Sequence, residues 1–520
     1  MERYMIGLDY GTGGGKACII DENADVLAYS FREYPIYADK PGWSEHDAKC
    51  YWTLACDTIR DCLRKSKVSP EKICGIGISS AQPCLVMIDR EGNPINRAYN
   101  LMDRRAVSQV EWLREHIGVD KIFEINGNRI EDYPTMVNIM WEKENRPQDY
   151  KKIWKTLTID GYVRFKMTGK AAMSYSHGGF WGVAYDIRKK EFDKGIMEKL
   201  GIDMALMPEL YPCEEIIGRV TKEAAAELGL IEGIPVCAGQ VDCNAGFVGG
   251  GAISPGDVQI NLGTCGVMGV VNDSKEFTDL VCNDAYTTNS CNDFISIAVV
   301  LTGGQVLRYL RDNFCQMEQE TAKLTADMDV YDIMNKEAEK IPAGSEGLIV
   351  LPYLAGERTV LWDAKARGTV FGLTARHTKG HLIRAFMEGV AYALYDNYRL
   401  MLEKGIRANA PIILNEGGAK SRLWRRIITD VFNVPTAFVE NRVGAPYGDA
   451  ILAGVSAGVW KDFSITKKKV NYIDYMEPDE KAHKRYMEYF EIYHRLYGHL
   501  KEDFADLYRV VKNHEEDLNI

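Results

Sequence analysis

Apolar and polar positions alternate along the first thirty residues in short runs broken by turns. Residues 4–8 are apolar, 9–16 are glycine-rich, 17–20 are apolar again, 21–25 form a polar turn and 26–29 follow. Short runs bounded by Gly and Asp predict three antiparallel strands joined by hairpins. The pattern returns past the middle of the chain: residues 258–262 alternate, Gly263-Thr264 turns, and 267–271 are apolar. A strand, a Gly-Thr turn and a second strand, met once in each half, predict two related domains rather than a solenoid. Apolar residues at helical spacing predict helices over 47–64, 380–405 and 421–432. Residues 75–79 and 411–414 read as buried parallel strands. Strands therefore alternate with helices in both halves, and the expected class is α/β. Near the C-terminus Tyr486, Phe490, Tyr493, Tyr497, Leu500, Phe504, Leu507 and Val511 share one helical face among many charges. One or two helices packed on the second domain are expected there, with a dimerisation helix as the alternative.

A chain of 520 residues has material for two or more domains. Its 46% hydrophobic and 26% charged residues are an ordinary globular balance, against wholesale disorder. The net charge of −11 gives a surface that repels phosphate backbones and anionic lipid, so neither nucleic acid nor membrane is an expected partner. No stretch is apolar for long enough to predict a transmembrane helix, and the N-terminal sequence turns acidic and glycine-rich too early for a signal-peptide core. A cytoplasmic location is expected. The 13 cysteines are scattered, without CxxC or zinc-type spacing, which predicts free thiols in a reduced compartment.

Candidate chemistry begins at Asp9-Tyr10-Gly11-Thr12-Gly13-Gly14-Gly15-Lys16. Glycines bring backbone N–H groups close to a ligand, and Thr12 and Lys16 add a hydroxyl and a cation, a set that suits phosphate oxygens. Neither the Walker A nor the dinucleotide glycine spacing fits, and a ligand-free glycine hairpin is the alternative. Gly263-Thr264-Cys265-Gly266 repeats the chemistry. Two such turns facing one another across a cleft would hold a triphosphate. Asp242, within Gly239-Gln240-Val241-Asp242-Cys243-Asn244-Ala245-Gly246, follows an apolar run. A carboxylate at a strand end can take a proton from a hydroxyl; capping the next helix is the alternative. Asn415-Glu416-Gly417-Gly418-Ala419-Lys420-Ser421 separates a strand from a helix, where a base or ribose can rest on backbone, or where the chain simply turns. Gly303-Gly304 offers the same two readings.

With these pieces in order, the chain resembles the FGGY family of carbohydrate kinases, within the actin, hexokinase and heat-shock ATPase superfamily, over roughly residues 5–460. Asp9-Tyr10-Gly11-Thr12 is similar to the family's first phosphate loop and Gly263-Thr264 to its second. The 239–246 segment is similar to the one carrying the catalytic aspartate, which puts that role on Asp242. Residues 351–359 and 367–373 resemble the xylulose-kinase branch, Gly417-Gly418-Ala419-Lys420-Ser421 the adenosine loop, and 440–453 the segment after it. There are departures. Gly13-Gly14-Gly15-Lys16 stands where Thr or Ser and then Arg is usual; lysine keeps the cation without the bidentate fork. Asn138 replaces an expected Lys, and Phe386 departs from the C-domain signature. Gln82-Pro83 falls where xylulose kinases carry Met-His and glycerol kinases Arg-Glu. Pro83 has no side-chain donor or acceptor, whereas Gln82 has both. Asp103 keeps the place of a sugar-contacting carboxylate, with a surface ion pair to Arg105 as the alternative.

The resemblance implies two ribonuclease H-like domains of the actin/hexokinase ATPase type with an interdomain cleft: a sugar-binding domain at 1–253, a nucleotide-binding domain at 254–460, and a helical extension at 461–520 packed on the second domain. It implies ATP-dependent phosphorylation of a hydroxyl on a small sugar or polyol, a ketopentose such as xylulose first. Gluconate, ribulose, erythritol and a linear sugar of the autoinducer-2 type compete, as does a non-catalytic ATP sensor on the same fold. The implied cofactors are ATP and Mg²⁺, the ion reached through water by Asp9 and Asp242. Gln82, Pro83, Asp103 and Asp242 would meet the sugar. Gly11, Thr12, Gly13, Lys16, Gly263, Thr264, Gly304, Gly417, Gly418, Ala419 and Ser421 would meet the nucleotide. The aromatic C-terminal helix and the resemblance together suggest a homodimer.

Overall fold

Tyr4–Tyr10 (β1), Gly14–Asp21 (β2) and Val26–Glu33 (β3) form the expected antiparallel meander. They belong to a computed structural model that describes residues 2–131, 133–287, 292–325, 328–439 and 443–517. β1 is buried from Met5 onward, as a strand covered on both faces must be, whereas β3 exposes Val26 and Leu27. The amphipathic helix Lys49–Ser66 (α1) lays Tyr51, Leu54, Ala55 and Ile59 into the same core as Ile6, Leu8 and Ile19. Ile73–Ser80 (β4) runs parallel to β1, with Asp9 level with Ser79 and Tyr10 level with Ser80. Ile159–Thr168 (α2) begins at Thr158, whose side chain accepts the Gly161 N–H. Ile216–Arg219 (β5), Pro235–Cys237 (β6) and Gln240–Val241 (β7) complete a sheet of order β5-β6-β4-β1-β2-β3. β7 pairs in parallel with β4, Val241 lying level with Ser80, and Asp242–Gly250 (α3) starts immediately after it.

This sheet belongs to a unit made of three stretches, Met1–Pro255, Val271–Ser296 and Asn441–Val470. The last stretch differs from a division at 253/254 and 460/461, and the cause lies in two glycines. A Cβ on Gly7 would stand 1.8 Å from the Pro446 carbonyl oxygen, and one on Gly77 2.1 Å from that of Asp449. Only glycine in β1 and β4 lets the backbone of the helix Ala445–Ser456 lie directly on the strands. Residues 440–442, which open the segment similar to that following the adenosine loop, lie outside the described residues.

The second unit comprises Gly256–Val270, Ile297–Glu440 and Asn471–Ile520. Val258–Leu262 (β8) and Gly266–Asn272 (β9) form a hairpin. The helices Gln305–Phe314 (α4), Val330–Glu339 (α5) and Lys379–Glu403 (α6) follow. Ile412–Asn415 (β10) then pairs in parallel with β8, Asn415 level with Asn261, and Arg422–Phe432 (α7) follows it. With Thr436–Val439 (β11) and Tyr472–Met476 (β12), the strand order is β9-β8-β10-β11-β12. A hairpin with a parallel strand beside its first member thus occurs in both units, as the repeated Gly-Thr pattern predicts. The C-terminal stretch is one helix, Glu480–Asp517 (α8), whose Tyr486, Phe490 and Tyr493 pack around Tyr392 of α6. Its aromatic face stays buried as far as Phe504, at 6% exposure; beyond it Leu507 is 51% and Val511 47% exposed.

The 12 described cysteines are free thiols, and Cys291 lies outside the described residues. Among the described residues no helix is long and apolar enough to cross a membrane.

Candidate active site

In the first unit β1, β4 and β7 end side by side, so the residues at and just past their carboxyl ends gather at one rim: Asp9, Ser79, Ser80 and Asp242. Crevices at such strand ends are the usual ligand sites of α/β sheets. Asp9 is 2% exposed. Its Oδ2 accepts from Lys16 Nζ at 3.0 Å, and its Oδ1 from Ser79 Oγ at 3.1 Å. The hairpin register sets the first contact, because Asp9 on β1 faces Lys16 on β2. Between them runs the turn Gly11-Thr12-Gly13, closed by a 3.0 Å bond from the Gly11 N–H to the Gly14 carbonyl. Gly13 is exposed and has open space around it, while Thr12 is half-buried.

Asp242 is the first residue of α3, not its cap, which is Val241. Its Oδ1 accepts the Cys243 N–H at 2.7 Å. Burial, and next the negative charge of Asp9, push the Asp242 carboxyl up to about 7; the Cys243 N–H and the Lys16 cation pull the other way. A carboxylate of this kind exchanges a proton near neutral pH, the property a general base for a hydroxyl requires.

Beneath this rim sits a carboxyl group that reading the chain did not single out for a role. Asp449, on the helix Ala445–Ser456, is fully buried; its Oδ2 lies 2.6 Å from Ser79 Oγ, which has a single proton to share between Asp9 and Asp449, and its Oδ1 accepts from Gln240 Nε2 at 3.1 Å. Burial pushes its carboxyl well above the usual range. The available signal was an acidic residue inside a helix of small and apolar residues, since buried carboxylates need partners.

At the sugar turn, Pro83 is buried and Gln82 donates from Nε2 to Ser80 Oγ and to Cys84 Sγ, both at 3.1 Å. Gln82 Oε1 is buried without a hydrogen-bond partner. Asp103 is fully buried, and its oxygens accept from the Ser44 N–H at 2.8 Å and from Arg105 Nε and Nη2 at 2.6–3.0 Å. The ion pair with Arg105 is therefore an interior one, not the surface pair weighed from sequence. The Arg105 guanidinium lies 3.7 Å from the Trp43 ring and 4.1 Å from that of Tyr99, and these rings keep it from water.

The second unit holds a cavity of about 410 Å³, within the range of small-molecule sites. Gly263, Thr264, Gly304, Gly417, Gly418 and Ser421 line it. Ala419 does not; it is buried behind the loop, with its carbonyl accepting from Arg425. The N–H groups of Gly303 and Gly304 donate to the carbonyls of Thr264 and Gly263 at 2.9 and 2.6 Å, so the start of α4 is seated on the turn. A Cβ on Gly304 would stand 2.6 Å from the Gly263 oxygen, which explains the glycine there. Ser421 Oγ accepts the Trp424 N–H as the cap of α7 and donates to Asn335 Oδ1 at 2.8 Å. Arg308, Asp329, Tyr331, Asp332 and Asn335 also line the cavity and were missed. They come from α4, α5 and the cap of α5, segments whose local sequence carries no motif.

Among the described residues no three His, Cys, Asp or Glu side chains converge on a metal position. A cation beside Asp9 and Asp242 would have two carboxylates and otherwise waters or ligand oxygens. That donor set fits Mg²⁺, which keeps much of its hydration and is seldom caged by protein alone.

Two α/β units with a Gly-Thr hairpin at the strand ends of each give the molecule the ribonuclease H-like fold of the actin and hexokinase type. The crystal structure of xylulose kinase from Rhodospirillum rubrum shares this fold, with a TM-score of 0.88 at 24% identity, over 97% of this chain and 100% of that one. The chain belongs to the FGGY family of carbohydrate kinases: the model of the family's N-terminal domain matches residues 4–249 and that of its C-terminal domain residues 258–457. It is similar to the xylulose kinase of Bacillus subtilis, 28% identical over 96% of this chain and 98% of the relative. It is equally similar to the gluconokinase of the same species, 28% identical over 98% of each chain. The protein is a carbohydrate kinase, a phosphotransferase with an alcohol group as acceptor.

Proposed function

We propose that the protein transfers the γ-phosphoryl group of ATP to a hydroxyl of a small sugar, a ketopentose such as xylulose first. The observation that carries this reading is Asp242, whose carboxyl titrates near 7 at the end of β7 beside the Asp9–Lys16 pair. The Asp242 carboxylate takes the hydroxyl proton as the sugar oxygen attacks phosphorus. The new O–P bond forms as the bond to the β-phosphate oxygen breaks, and ADP leaves. Such a transfer asks the protein for position and charge balance more than covalent help. Thr12, Gly13 and Lys16 act on phosphate oxygens in the first unit, and Gly263, Thr264 and Gly304 in the second. Gly417, Gly418 and Ser421 hold the nucleoside, with the backbone around Ala419 shaping the loop. Asp9 and Asp242 would be the residues to hold Mg²⁺, which would supply charge neutralisation at the phosphates.

Gluconate is the second reading, supported by the similarity to the Bacillus subtilis gluconokinase. ADP release measured with ATP and Mg²⁺ over pentuloses, pentoses, polyols and aldonates tests both. Sugar-dependent turnover is expected. Basal ATPase that no sugar raises would favour a sensor instead. A homodimer accompanies the reading, with Leu507, Val510 and Val511 exposed on α8 as its surface; sedimentation at micromolar protein measures it.

A further inference from the structure

The turn Gly11-Thr12-Gly13 offers a phosphate mostly backbone, and a backbone turn grips an anion only while its N–H groups point outward together. The carbonyl and the N–H of one trans peptide lie in one plane and point opposite ways. Whatever holds the carbonyl of one residue therefore aims the N–H of the next. In this turn the Gly11 carbonyl governs the Thr12 N–H, and the Thr12 carbonyl governs the Gly13 N–H.

Side chains from outside the turn hold these carbonyls. Tyr34 follows β3 directly and falls beside Gly13, because Glu33 is level with Gly14. Its hydroxyl donates to the Gly11 carbonyl, and its own N–H donates to the Gly13 carbonyl at 3.3 Å. Burial first, and then charges that include Asp9 and Asp242, push the Tyr34 hydroxyl well up, so it keeps the proton with which it donates. The Thr12 carbonyl meets the ring of His46, on the short strand Glu45–His46. Burial lowers that ring to about 4, and the bond with Thr12 pulls the other way. The Gly14 carbonyl accepts the Gly11 N–H. All four carbonyls from Gly11 to Gly14 are thus engaged by the protein, whereas the Thr12 and Gly13 N–H groups have no partner among the described residues. Tyr34 is itself fixed, its ring 4.7 Å from that of His46 and 5.5 Å from that of Tyr51, and His46 Nδ1 lies 2.7 Å from the Tyr51 hydroxyl.

We propose that Tyr34 and His46 are positioning residues for phosphoryl transfer: by holding the Gly11 and Thr12 carbonyls they aim the Thr12 and Gly13 N–H groups at the phosphate that is transferred. This rests on the kinase reading and deepens it. The transferred phosphate is the one at this turn because Asp242 stands on the same rim, and a base that takes the proton of the attacking hydroxyl must lie close to the phosphorus under attack. Three glycines in succession, Gly13 to Gly15, leave the turn with little stiffness of its own. Lys16 does not supply it, since its Nζ is held by Asp9 at 3.0 Å. The two rings behind the turn do.

The test uses the full-length protein with Mg²⁺. Tyr34→Phe keeps the ring against His46 and Tyr51 and the N–H on Gly13, and removes only the donor to Gly11. Loss of that bond should raise KM for ATP about tenfold, lower kcat by less, and leave KM for the sugar within about twofold. Calorimetry should show ATP binding weakened to the same extent and AMP binding unmoved, since AMP lacks the phosphate that reaches the turn. His46→Asn, which withdraws the ring from Thr12, should act in the same direction. A role in packing alone would lower Tm and weaken both nucleotides together; that result overturns the proposal, and so does an unchanged KM for ATP in Tyr34→Phe. Hydrogen exchange of the wild type, read by mass spectrometry, needs no variant to fold. ATP, and not AMP, should slow the Thr12 and Gly13 amides, and amides that exchange freely with ATP bound overturn the proposal as well. If no sugar supports turnover, the kinase reading fails, while the comparison of ATP with AMP still decides whether Tyr34 and His46 aim the turn.

Discussion

Lys16 Nζ stands 3.0 Å from Asp9 Oδ2, directly across the hairpin register that makes the two residues neighbours. The same cation lowers the proton affinity of Asp242, and the Asp9 charge raises the proton affinity of Lys16. Replacing the lysine by methionine leaves two carboxylates facing each other without it. In Lys16→Met the acid-side midpoint of kcat/KM against pH, expected near 7 in the wild type, should move to higher pH, because kcat/KM reports the free enzyme. A midpoint unmoved or shifted downward contradicts the arrangement.

Asp242→Asn should fold, bind nucleotide and lose about 10²–10⁴ in kcat, the usual worth of a positioned base. Coupled ADP release and calorimetric nucleotide titration check the two halves of that statement.

The same variant reports on stability in the protein without ligands. An unfolded Asp titrates near 3.9, and burial and Asp9 carry Asp242 up to about 7 when folded. The folded state therefore binds the proton more tightly, and this contribution to stability is complete below about pH 4 and lost as pH rises toward 7. The Tm of Asp242→Asn minus that of the wild type should grow between pH 4 and 7 and level off above. A flat difference would mean that the folded carboxyl titrates like an unfolded one.

Gly77→Ala would place a methyl group 2.1 Å from the Asp449 carbonyl oxygen. Neither strand nor helix backbone can step aside cheaply, and a loss of about 1–3 kcal/mol or more is expected. Urea unfolding followed by fluorescence would show it.

Asp449 offers a contrast between two substitutions. Burial keeps its carboxyl neutral over a wider pH range than an exposed one, so Asp449→Asn should be nearly silent in Tm. Asp449→Ala strands Ser79 Oγ and Gln240 Nε2 and should cost about 1–3 kcal/mol. Equal effects of the two would rule out the neutral form.

Much of this fold was legible in local pattern. Residues 4–8 and 258–262 announce strands by their apolar spacing, and each Gly-Thr pair marks its turn. Asp242 was conspicuous as a carboxylate after an apolar run. Asp103 shows the limit: its sequence neighbourhood offered both a sugar contact and an ion pair with Arg105. The burial of that pair depends on Ser44, Trp43 and Tyr99, none of them adjacent. The cavity-lining residues of α4 and α5 were invisible for the same reason, since helices at ordinary spacing carry no mark of what they will face.

Local preferences reach only a few residues, and within that reach the chain alone determined its α/β alternation, its paired hairpins and its glycine turns. Three properties needed the folded molecule: the return of the helix Ala445–Ser456 onto β1 and β4, the raised proton affinity of Asp242, and the buried, unpartnered oxygen of Gln82. Each arises from groups far apart in the chain, such as Gly7 with Pro446, Asp9 with Asp242, and Ser80 with Asp160. Desolvation, charge and hydrogen-bond direction act through space, and folding is what makes these residues neighbours.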